Sequence, residues 1–206
     1  MLKLVIYCIV SQFVVVLLSY NLIMQLAIKY LVASQLAMFV FALICFAVDP
    51  GAFRNNAPLS YYGTMAKTIF PYATGILLTA FLLFRGAQHL HGKKVRAVRF
   101  SVQWLAILLV AALATPYTVF FWAHSAVTNL MMFLVIGASG YILIKIDHRL
   151  INIALALAMV CMFTLITLSA DWWDIVHVAG PAELAASLLF IGLLYNTLKD
   201  IKEETI

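Results

Sequence analysis

The sequence predicts an all-α fold: a polytopic bundle of about seven transmembrane helices, N-terminus outside and C-terminus inside. Three observations carry this reading. Of the 206 residues, 66% are hydrophobic and the mean hydropathy is +1.06, whereas a soluble domain is roughly 45–50% apolar. One soluble core of this size cannot hide such a surplus, so most of it must face lipid. The apolar residues also fall in runs of about the length that crosses ~30 Å of hydrocarbon as a helix. Finally, placing the basic loop Arg85–Arg99 inside puts ten of the 13 Lys and Arg inside and three (Lys3, Arg54, Lys67) outside, the asymmetry that orients membrane proteins.

The chain reads as one integral membrane domain, 1–206, with spans at about 4–24, 30–48, 68–84, 100–115, 118–144, 150–170 and 182–198. The first run carries Gln12 and Ser19 on one helix face. It continues to Ile28 without a small-residue cleavage site and so reads as a span, not a leader. Lys29 is the expected turn into the second run, which Asp49-Pro-Gly stops. The third run places Thr68, Tyr72, Gly75 and Thr79 on a single stripe, either a packing face of small and hydroxyl residues or the lining of a polar cavity. His89 and His91 belong to the basic loop, where solvent and anionic headgroups are the natural neighbours.

Residues 100–144 hold no Asp, Glu, Lys or Arg, too long for a single crossing, and Thr115-Pro116-Tyr117 is the break. Gly137 and Gly140 on the following helix point to close helix packing. Lys145–Arg149 forms a charged turn, and a short polar tail follows Leu198. Cys8, Cys45 and Cys161 lie inside apolar runs and read as small hydrophobes. The net charge of +5 is a matter of topology, not of nucleic acid, for which there is no reading motif. Expected partners are membrane lipids, with a second copy or another membrane protein allowed; the expected location is the plasma (inner) membrane.

Charged residues make up only 10% of the chain, and three of the eight acids lie in Ser169–Leu184. The topology collects Asp49, Ser60, Gly63, Tyr117, His124, Ser125, Asn129, Asp171, Asp174, His177 and Glu183 near the outer ends of helices. Ionisable groups at membrane depth are costly and mark functional sites. His124, His177, Asp171, Asp174 and Glu183 are the candidate acid/base residues; Ser60, Gly63, Tyr117, Ser125 and Asn129 are the candidate ligand contacts. Each also has a structural reading. Glu183, third after Gly180-Pro181, suits a helix start; Trp172 and Trp173 suit interfacial anchors. His with carboxylates also suits zinc, but the spacing matches no established motif, and no cofactor is named.

Leaving out the first span, six spans remain, with Leu59-Ser-Tyr-Tyr-Gly63 before a helix, His124 opening the fourth and Glu183 opening the last after a Gly. In this the chain resembles the Frag1/DRAM/Sfk1 group of six-span membrane proteins and its prokaryotic relatives. The resemblance implies roles in lipid-anchor remodelling, lipid organisation or membrane trafficking, and carries Ser60, Gly63, His124 and Glu183 over as site residues. The extra first helix and the Asp171-Trp-Trp-Asp174 loop depart from the group. Three functions stay open: a module binding lipid or a hydrophobic partner, a lipid-modifying hydrolase or acyltransferase, and a small transporter or channel.

Overall fold

A computed structural model describes residues 2–51, 58–116, 118–171 and 179–203; for 2–23, 168–171, 179, 200, 202 and 203 only the backbone is described. The chain is an all-helical membrane protein. Its helices are α1 (Leu2–Val48), α2 (Ile69–Gln88), α3 (Arg96–Ala114), α4 (Phe121–Lys145), α5 (Leu150–Asp171) and α6 (Ala179–Glu203), with a short 3-10 helix at Leu59–Thr64. Each of the six long helices contains a stretch long and apolar enough to span a membrane; in α1 it is Met24–Val48.

The turn expected at Lys29 is not formed. A single helix runs from Leu2 to Val48, so the ranges 4–24 and 30–48 are two halves of one element. Nothing near Lys29 is a Pro or Gly, and a lone lysine does not interrupt the helical hydrogen-bond ladder. The break at residues 115–117 is where the sequence places it. α3 ends at Ala114, one residue before the Thr115-Pro116 pair, and α4 begins at Phe121, a little beyond the expected 118.

The helices form a ring. α1 packs most extensively on α2, α2 on α3, α3 on α4 and α5 on α6, and α6 returns to α1. The contact between α4 and α5 is much the thinnest link between sequence neighbours. Half of the ring is filled. Met24, Ala27 and Leu31 of α1 meet Leu83, Ala87, Leu90, Val95, Val98, Ile142, Leu194 and Leu198 in a continuous core. That core lies toward the end carrying Lys29, Arg85, Lys93, Lys94, Arg96 and Lys145. Outward faces carry Phe70, Trp122, Phe133 and Leu150, each at least 65% exposed, as a lipid-facing surface requires.

The basic end is tied by polar contacts. Asp147 accepts from Arg149 Nη2 at 2.7 Å and from Asn152 Nδ2 at 2.7 Å, and Tyr141 donates to the Lys94 carbonyl at 3.2 Å. His89 is no free loop residue: its ring stacks on Tyr30, centroids 5.5 Å apart.

The glycines divide in two. A Cβ on Gly75 would overlap Phe41 Cβ and sit 2.9 Å from Phe41 Cγ, so this glycine is what lets α1 and α2 approach closely. Gly137 and Gly140 do not pack closely as expected: a Cβ on either meets nothing within 4 Å. They lie on α4, beside the thin side of the ring, where no helix presses against them. Gly75→Ala is therefore expected to cost about 1–3 kcal/mol through overpacking. Gly137→Ala should be neutral or stabilising by up to about 1 kcal/mol through helix propensity. Thermal unfolding of both variants in detergent checks the contrast.

Candidate functional site

The unfilled half of the ring encloses a cavity of about 1300 Å³, larger than the roughly 300–1,000 Å³ of ordinary small-molecule sites. All six long helices and the 3-10 helix contribute to its wall. The deep part is apolar: Ile76, Leu83, Leu105, Leu109, Val135 and Phe190. Polar side chains gather toward the end bearing the 3-10 helix: Asp49, Ser60, Tyr61, His124, Ser125, Asn129 and Glu183.

Glu183 stands in the first turns of α6. Its Oε2 accepts the main-chain N–H of Leu59 at 2.8 Å, across 124 residues of sequence. Leu59 is the first residue of the 3-10 helix, whose N-terminal N–H groups have no partner within the helix. The carboxylate thus caps another element, whereas the Gly180-Pro181 pattern predicts a cap on its own helix. Among the described residues this is its one hydrogen bond, and no Lys or Arg pairs with it. Leu59 and Leu184 pack with Ala42 beneath it.

His124 is 4% exposed, and its Nδ1 lies 2.8 Å from the carbonyl oxygen of Thr115. A carbonyl only accepts, so Nδ1 carries the proton, and Nε2 is the acceptor in the neutral ring. The bond satisfies a carbonyl left over where Pro116 stops α3. His124 thereby clamps α3 to α4 with its ring at the cavity wall.

Other polar residues in the spans satisfy themselves locally. Thr128, Ser139, Thr164, Thr167 and Thr197 each donate to the carbonyl four residues earlier, at 2.7–3.1 Å. Ser60, Ser125 and Asn129 differ: none of their side chains bonds another described residue. Asn129 and Thr128 are exposed while lining the cavity, as is Thr167 on α5, so the cavity opens along the thin α4–α5 side.

Of the sequence-derived candidates, Ser60, His124, Ser125, Asn129 and Glu183 line this one cavity. Gly63 does not line it; a Cβ there would sit 2.6 Å from the Tyr72 ring, so its role is to let that ring lie against the 3-10 helix. Tyr117, Asp174 and His177 lie outside the described residues, with Trp172 and Trp173, and so does the side chain of Asp171. The meeting of His177 with His124 therefore has no geometry to report. Among the described residues no three His, Cys, Asp or Glu side chains group as a metal site requires.

Sequence reasoning passed over Ser34, Gln35 and Ser187, which line the cavity where α1 meets α6. Gln35 Nε2 donates to Ser187 Oγ at 2.8 Å, and Ser187 Oγ donates to the Leu184 carbonyl at 2.8 Å. An amide inside the charge-free run 30–48 was the available signal. The stripe Thr68/Tyr72/Gly75/Thr79 serves both of its expected uses. Gly75 packs on α1, Tyr72 and Thr79 line the cavity, and Thr79 reaches the Ser34 carbonyl at 3.4 Å.

No protein-family model, no curated protein and no solved structure matches the chain.

Tyr62, fully buried in the 3-10 helix, packs on Cys45 and Phe46, and its hydroxyl has no partner among the described residues. Burial, with Asp49 and Cys45 nearby, pushes this phenol up to about 12. A raised folded value means stability is intact below the ordinary phenol value of roughly 10 and is lost as pH rises toward about 12. Tyr62→Phe should remove that alkaline loss. It should also raise stability at neutral pH by about 1 kcal/mol, because it deletes an unsatisfied buried donor. Unfolding followed from neutral to alkaline pH measures both. Separately, Glu183→Ala should cost about 2 kcal/mol by stranding the Leu59 N–H, whereas Glu183→Gln keeps an acceptor and loses less. Thermal unfolding of the pair reads the difference.

Proposed function

We propose that this membrane protein binds an amphipathic, lipid-like molecule in the cavity between its helices, the polar head at the Ser60/His124/Glu183 end and the apolar part toward Phe190 and Leu105. The supporting observation is the wall itself: a large apolar cavity in which Ser60, Ser125 and Asn129, whose side chains bond no other described residue, gather at one end. Ligand sites pair an apolar lining with a few convergent polar groups in this way. The exposed edge between α4 and α5 offers a chain already in the bilayer a sideways entry.

Ten of 13 basic residues fall to the other side of the bundle, which supports an outward-facing mouth in the plasma (inner) membrane and a C-terminus inside. Of the four positions shared with the short patterns of the Frag1/DRAM/Sfk1 group, Ser60, His124 and Glu183 line the cavity and Gly63 packs behind it, which favours a role in lipid organisation or remodelling.

Native mass spectrometry of the detergent-purified protein should detect a retained lipid. Ser187→Phe and Ala112→Phe, which fill the cavity, should weaken its retention about tenfold or more, equivalent to roughly 1.4 kcal/mol. Failure of wild type to retain or take up any amphiphile would sink the reading.

A further inference from the structure

Resting on that reading, we infer that the cavity selects amphiphiles carrying a hydrogen-bond donor just below the head, as an amide-linked chain does and an ester-linked chain does not, with Gln35 Oε1 as the acceptor.

A lipid tail moving from bilayer to cavity exchanges one apolar environment for another, so the tail adds little selectivity. Polar groups in the wall must supply it. Ser187 follows Glu183 by four residues on α6, so it lies one turn, roughly 6 Å, further into the bundle than the mouth. At that level Ser187 meets Gln35 of α1, and Thr79 of α2 meets the neighbouring Ser34. All four residues line the cavity.

The hydroxyl hydrogens of this belt are spent. Ser34 Oγ donates to the Leu31 carbonyl at 2.6 Å, Thr79 Oγ1 to the Ser34 carbonyl at 3.4 Å, and Ser187 Oγ to the Leu184 carbonyl at 2.8 Å. With its only hydrogen given away, Ser187 Oγ can do nothing but accept from Gln35. That fixes the amide: Nε2 donates to Ser187 at 2.8 Å, and Oε1 is turned away from it. Gln35 is 8% exposed, and its Oε1 has no partner among the described residues. This oxygen is not sealed in as the Tyr62 hydroxyl and Asn152 Oδ1 are. Its lone pairs are therefore open to the cavity that Gln35 lines. An amide oxygen in an apolar wall lacks its hydrogen bond until a donor reaches it.

An ester at this depth brings only acceptors. It can use the second Nε2 hydrogen but leaves Oε1 unmet. An amide of the same shape offers the same carbonyl and adds an N–H. Both linkages are neutral, so the charged groups near the mouth act on the two alike.

The test compares the hexadecanoyl amide of aminobutanol with the hexadecanoyl monoester of butanediol, which differ by an N–H in place of an oxygen. Their butyl spacer covers about one helical turn between head and linkage. The detergent-solubilised full chain takes up the two in competition, read by native mass spectrometry. The amide is expected to lead by about fivefold. Gln35→Leu should bring that ratio to about twofold or less while ester binding stays. Ser187→Ala, which frees the Gln35 amide to turn, should lower the ratio as well, and it decides the role of Gln35 if Gln35→Leu does not fold. Equal uptake by wild type, or a lead for the ester, overturns the donor inference and leaves amphiphile binding intact. A full amide lead retained in the folded variants overturns the assignment to Gln35. Uptake of neither compound overturns the amphiphile reading itself.

Discussion

The hydrogen bond from Leu59 N–H to Glu183 fixes the mouth of the bundle. It joins the only described connection with its own secondary structure to the helix that closes the ring, and it does so with one of just eight acids in the chain. Leu59, Ala42 and Leu184 pack below the bond, Tyr62 inserts against Cys45 and Phe46 beside it, and Gly63 admits the Tyr72 ring. Each contact positions the 3-10 helix at the cavity, so a single charge-assisted bond, worth roughly 1.5–3 kcal/mol, organises a wall that apolar packing alone would leave unregistered.

The ring has a tight side and a loose side, and small residues do not decide which is which. Gly75 is pressed by Phe41 and sets the α1–α2 approach, whereas Gly137 and Gly140 have open space around them. Side-chain hydrogen bonds between helices tie several of the closed seams. Gln35 to Ser187 joins α1 to α6, Thr79 to Ser34 joins α2 to α1, and His124 joins α3 to α4. No such side-chain bond between α4 and α5 is found among the described residues, and there the cavity opens.

Much of the architecture was legible in the sequence because lipid leaves few choices: long apolar runs must be helices, and Pro116 must end one. The missing turn at Lys29 was not legible, since a charge between two apolar runs looks the same whether the helix bends or continues. Five of the ten candidate site residues line one cavity because topology alone brings helix ends together; Gly63 packs behind the wall, and Tyr117, Asp171, Asp174 and His177 offer no described side chain for comparison. Gln35 and Ser187 were harder to find, being single polar residues in separate spans whose pairing over 152 residues leaves no local pattern.

Satisfaction of polar groups, not their presence, is what sets the cavity apart. A hydroxyl in a span costs little when it bonds the carbonyl one turn back, and Thr128, Ser139, Thr164, Thr167 and Thr197 all do so. Without such a bond, a polar group in an apolar setting costs about 1–3 kcal/mol. Ser60, Ser125 and Asn129 are only partly shielded or exposed and so escape most of that cost, but they stand without such a bond among the described residues, on two elements facing the same space as Glu183. One stranded group would be a packing accident, as the Tyr62 hydroxyl is in its sealed site. Three that share a cavity with a carboxylate are the feature on which the proposed amphiphile site rests.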